Sequence, residues 1–155
     1  MRVPFWQRDQ AHPTKAIDRL QSNRSFRQIV GLNVLDDFSS VVASLVQVRG
    51  TGKHARFQEL DSFKVIIEDA ARQFLTELKS NPEPKESDIR FASTELNFFQ
   101  TACFRSLLGK AGLNKNEIIA LSVVDPGILV RDIDGQQSFR SLTDSIELAN
   151  QTSIT

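Results

Sequence analysis

Arg49, Lys53, His54 and Arg56 crowd into VRGTGKHARF, residues 48–57, with Gly50 and Gly52 among them. Basic side chains beside flexible backbone suit an anion. A nucleotide-phosphate loop needs Gly-x4-Gly-Lys followed by Ser or Thr, because the hydroxyl holds magnesium. Here Gln47 stands at the first glycine and His54 at the hydroxyl position, so nucleotide hydrolysis is excluded. Contact of Arg49, Lys53, His54 and Arg56 with nucleic acid stays open, aided by the arginine-rich start of the chain; it would be unspecific and salt-sensitive. The plain expectation is a structural, glycine-terminated basic loop between two elements.

Arg49 and His54 also form an R-x4-H pair. That spacing resembles the signature of HEPN domains, compact helical modules that include metal-independent ribonucleases. The resemblance implies that Arg49 and His54, paired across a dimer, position and protonate a scissile phosphodiester. It covers six residues, with Gly50 where the family commonly carries a polar side chain.

Other constellations are weaker. Asp132, Asp134 and Gly135 lack the remaining ligands of a calcium loop and predict a turn. Asp36 and Asp37 read as a solvated patch on a helix. Cys103 lies on an apolar stripe and predicts a buried core residue. With one cysteine and two histidines, His12 and His54, a cysteine-rich or multi-histidine metal site is excluded, and no cofactor is expected. Residues 107–124 could form a helix-turn-helix, but EIIALSVV offers little to bases, so an ordinary helical corner is expected.

A chain of 155 residues, 40% hydrophobic and 25% charged, suits one globular domain. No signal-like apolar start or membrane span is legible, so the expected location is cytoplasmic. Net charge is zero but divided. Residues 1–56 hold nine Lys/Arg against four Asp/Glu, and residues 57–155 hold ten against fifteen. Either the halves neutralise one another in the fold or in a dimer, or a basic face meets an anionic partner.

These residues must be placed by elements, and the apolar spacing predicts an all-α fold, a bundle of four to six helices with room for a minor β-hairpin near 128–139. Residues 1–13 read as an irregular arm, 14–150 as a single helical domain and 151–155 as a frayed tail. Main helices are expected over 25–48, 58–79, 88–111 and 115–124, with short ones over 14–22 and 138–149. Leu35, Phe38, Val42 and Leu45 step by 3 and 4, as do Phe57, Leu60, Phe63 and Ile67. If 41–48 and 118–124 are strands, the class becomes α+β.

The functional expectation is a non-catalytic protein–protein interaction module, a small adaptor, chaperone or assembly subunit, whose surplus apolar helix faces meet another protein or a second copy. Phe91, Phe98 and Phe104 are the expected contact residues, with Phe5 and Trp6 as a docking arm. Nucleic-acid binding through 49–56 is the second expectation and the Arg49/His54 ribonuclease the third.

Overall fold

The computed structural model describes residues 27–154. Strands β1 (Arg27–Val34), β2 (Ser40–Arg49) and β3 (Arg56–Ile66) form an antiparallel meander; helices α1 (Asp69–Ser80) and α2 (Glu86–Ala111) follow. Strand β4 (Ile118–Val124) then returns parallel to β1, giving the sheet order β3-β2-β1-β4. A hairpin of β5 (Ile128–Arg131) and β6 (Gln137–Arg140) and the short helix α3 (Ser145–Thr152) complete these residues. The expected all-α bundle is therefore wrong: among the described residues six strands and three α-helices make a mixed α/β fold.

The correction has a local cause. Val30, Leu32 and Val34 alternate on β1, and Val41, Ala43 and Leu45 alternate on β2; all six are buried, and the registers pair Val30 with Leu45, Leu32 with Ala43 and Val34 with Val41. That is the period-2 pattern of a sheet with one covered face. The 3/4 spacing of Leu35, Phe38, Val42 and Leu45 is a coincidence spanning a turn and a strand. Phe38 sits in that turn at φ 52° with its ring fully buried, so packing holds a backbone that phenylalanine disfavours. Asp36 and Asp37 lie in the same turn rather than on a helix, where Asp37 pairs with Arg72 at 3.3 Å.

The expected helix 58–79 is a strand up to Ile66 and a helix only from Asp69. The expected helix 115–124 is a 3₁₀ turn, Lys115–Glu117, running into β4. Asn114 and Glu117 form a capping box, and it starts that turn. In place of a helix over 138–149, β6 ends at Arg140 and α3 begins at Ser145. The hairpin near 128–139 is present as β5–β6. The carboxylate of Asp132 accepts the amides of Asp134 and Gln136 at 3.0 and 2.8 Å, a turn as expected. The expected tail at 151–155 is docked up to Ile154: Thr152 and Ile154 are buried. The arm 1–13 and the helix 14–22 lie outside the described residues.

Helix α2 forms as its sequence dictates. Ile89, Ala92, Leu96, Phe99, Cys103 and Leu107 keep one stripe and are all buried. Glu86 and Asp88 stand in its first turn, Lys110 in its last, and Gly112 ends it in a left-handed cap. The stripe lies across β1, β2 and β3 and forms the core. Cys103 is fully buried, and its thiol donates to the carbonyls of Val41 and Phe63 at 3.4 Å. Burial pushes its pKa up, which suits a core thiol.

Candidate functional site

The basic stretch is the tip of the β2–β3 hairpin. Arg49 ends β2, Arg56 begins β3, and the register sets the two opposite one another. Gly52–His54 form a 3₁₀ turn between them. Gly50 has φ 77°, and a Cβ there would stand 2.7 Å from the carbonyl oxygen of His54, so only glycine closes this tip without a shift. The Arg27 guanidinium, largely buried, donates to the Gly50 carbonyl and ties the tip to β1. Arg49 also reaches Gln47, at 3.1 and 3.2 Å. Arg49, Lys53, His54 and Arg56 are all exposed, and the chain has no carboxylate side chain between Asp37 and Glu59. The result is a concentrated positive potential at one end of the sheet. Arg49 and His54 are thus on a strand end and a tight turn, not in the helical setting that the HEPN resemblance implies.

The phenylalanines expected at an interface separate into two groups. Phe91 and Phe98 are 55% and 65% exposed, seven residues apart on α2 and so on one side of it, two turns from each other. Phe91 meets Phe74 edge-to-face at 5.2 Å between centroids, and Phe98 meets Phe99 at 5.5 Å. A groove of about 300 Å³ runs beside Phe98, lined by Thr94, Thr101, Ala102, Arg105 and Gln151. Phe104 does not belong to this surface: it is 2% exposed, turned into the core. Phe5 and Trp6 lie outside the described residues.

Sequence reasoning missed a polar seam between the end of β4, α2 and residues 141–144. The Asp125 carboxylate accepts the amides of Gly127, Leu142 and Thr143 at 2.7, 3.3 and 3.0 Å and the Ser141 hydroxyl at 2.7 Å. Burial opposes its ionisation, but the hydrogen bonds from Thr143 and Ser141 outweigh it and hold the carboxyl below its ordinary value. Asn97 and Gln100, fully buried on α2, donate to the Asp144 carbonyl at 3.0 Å and the Thr143 hydroxyl at 2.8 Å. Asp144 in turn caps α3 by accepting from Ile146 and Glu147. The legible signal was two amides, Asn97 and Gln100, standing directly beside Leu96 and Phe99 of the apolar stripe. The seam is structural: it fixes the C-terminal segment to the core.

Among the described residues no group of three or more His, Cys, Asp or Glu could hold a metal ion, and no helix is long and apolar enough to cross a membrane. A scan of protein-family models finds none that matches the chain, and a search of curated proteins finds no match either.

Proposed function

We propose that the chain is a non-catalytic protein–protein interaction module, a small cytoplasmic adaptor, chaperone or assembly subunit, that receives its partner on the outward side of α2. One observation carries this reading: Phe91 and Phe98 stand exposed in line on a 26-residue helix, each already braced by a second ring. Exposed aromatic side chains that are already ordered lose little entropy on contact and bury much apolar area, which makes them good anchors. Arg105, a further seven residues along and also exposed, extends the line with a positive charge. The fitting partner is therefore an apolar segment carrying a carboxylate.

The test is size-exclusion chromatography with light scattering on the full chain isolated from its native cells. A partner should elute at a fixed ratio with the wild type and be lost when Phe91→Asp and Phe98→Asp are combined. It should be kept by Ile133→Asp, which alters a still more exposed side chain on the β5–β6 turn. Elution unchanged by the double substitution overturns the proposal.

The carboxylate-free hairpin tip favours a second reading, contact with nucleic acid. Lys53→Ala and Arg56→Ala would then weaken binding of labelled RNA about equally for all sequences, each reducing the salt slope by about 1. A ribonuclease using Arg49 and His54 would lose turnover on His54→Ala while keeping RNA binding.

A further inference from the structure

We propose that β3 pairs antiparallel with β3 of a second copy, so that two four-stranded sheets join into one of eight strands. This does not depend on the α2 reading, because it uses the backbone edge of β3 rather than the outward side of α2.

Strand β3 is an edge strand eleven residues long, so among the described residues it presents a row of backbone groups with no neighbouring strand. Its side chains divide by register. Phe57, Glu59, Ser62, Lys64 and Ile66 pair with Val48, Val46, Ser44, Val42 and Ser40, on the sheet face turned away from α2. Asp61, Phe63 and Val65 lie on the helix side, where Asp61 bonds Lys110 of α2 at 2.6 Å. The register shifts between Leu45 and Val46, leaving Leu60 as the extra residue of a bulge.

Two identical strands extend one sheet only about a two-fold axis perpendicular to it, passing between two copies of the same residue. Placing the axis at Asp61 or Lys64 sets like charges against each other. Placing it at Phe63 sets Glu59 against Ile66 once the bulge is counted. Placing it at Ser62, with the bulge taken as two residues against one, sets Lys64 against Glu59 and Ile66 against Phe57, each pair twice. Phe57 and Ile66, 67% and 65% exposed, would cover one another. Lys64 has no ion pair among the described residues to give up.

Continuing the same register past the strand ends carries the basic tip of one copy toward Glu68 and Asp69 of the other. Both acids are exposed and, like Lys53 and Arg56, form no ion pair among the described residues. Lys53 and Arg56 of one copy would thereby meet Glu68 and Asp69 of the other.

Sedimentation equilibrium of the purified full chain tests this. The expected particle has twice the 17.4 kDa mass of the chain. Lys64→Glu should raise the dissociation constant at least about tenfold, since two like-charged pairs then face each other. Adding Glu59→Lys should restore it. Ser62→Cys should be cross-linked into a dimer by a short bis-maleimide, whereas Ile133→Cys should not. A monomer at every concentration overturns the proposal, as does a dimer indifferent to Lys64→Glu or one that the charge swap fails to rescue.

Discussion

The two edges of the sheet are finished in opposite ways. On the β4 side the strand is seven residues long and runs at once into Asp125, whose carboxylate gathers three amides and a hydroxyl from the flanking loops. On the β3 side the strand is longer, its side chains are mostly exposed, and its hydrophobic residues Phe57 and Ile66 face solvent. The end of β4 is held by a part-buried charge with its hydrogen bonds made; β3 ends in surface. Stability and recognition are therefore separable here, and substitutions at the two edges should fall into different classes.

The largest effect belongs to the end of β4. Asp125→Ala leaves several donors without their acceptor and should cost about 3 kcal/mol in denaturant unfolding. The same carboxylate gives a pH dependence of known sign. Its folded pKa is below the unfolded value of 3.8, so its contribution is complete above that value and is lost as pH falls through the lowered one. The wild-type Tm should therefore drop more steeply than that of Asp125→Asn below about pH 4; parallel curves would remove Asp125 as the cause.

Next comes Gly127, whose amide donates to Asp125 and whose φ is 55°. A Cβ there would lie 2.7 Å from the Arg140 carbonyl oxygen, so Gly127→Ala should cost about 2–3 kcal/mol. At the other side of the sheet Gly50→Ala meets the His54 carbonyl at the same distance, but in an exposed tip that has room to shift. About 1–2 kcal/mol is expected, measured by the shift in urea midpoint. Lys64→Gln on the open strand should change the stability of the monomer by no more than about 0.5 kcal/mol. A loss there as large as at Asp125 would erase the distinction between the edges.

Much of this was legible where a segment's own pattern decides its structure. The stripe from Ile89 to Leu107 is long enough for a helical period to be unambiguous, and Gly112 marks its end. The Asp134–Gly135 turn needs no distant partner either. Phe91 and Phe98 were legible as off-stripe rings, but Phe104 was not distinguishable from them: its burial depends on what packs against that side of α2. The basic tip was readable as a glycine-closed loop, though not as the end of a hairpin, because Arg49 and Arg56 become neighbours only when β2 and β3 pair. The bonds of Asp125 to residues 141–143 join positions 16 to 18 apart and those of Asn97 and Gln100 positions 47 and 43 apart, and the seam left no local mark beyond the two amides beside the stripe of α2.

Composition and spacing thus determined α2, its glycine C-cap, the small hairpin and the charge division of the chain. The tertiary structure alone decided that residues 27–34, 40–49 and 56–66 are strands. Their apolar residues fit a helical step by coincidence and a strand step by design. What separates the two is the pairing of backbone groups across the sheet and the burial of Val30, Leu32, Val41 and Ala43 beneath α2. Those contacts join positions far apart in the chain, and a hydrogen bond to a distant strand outweighs the weak local preference of any single residue.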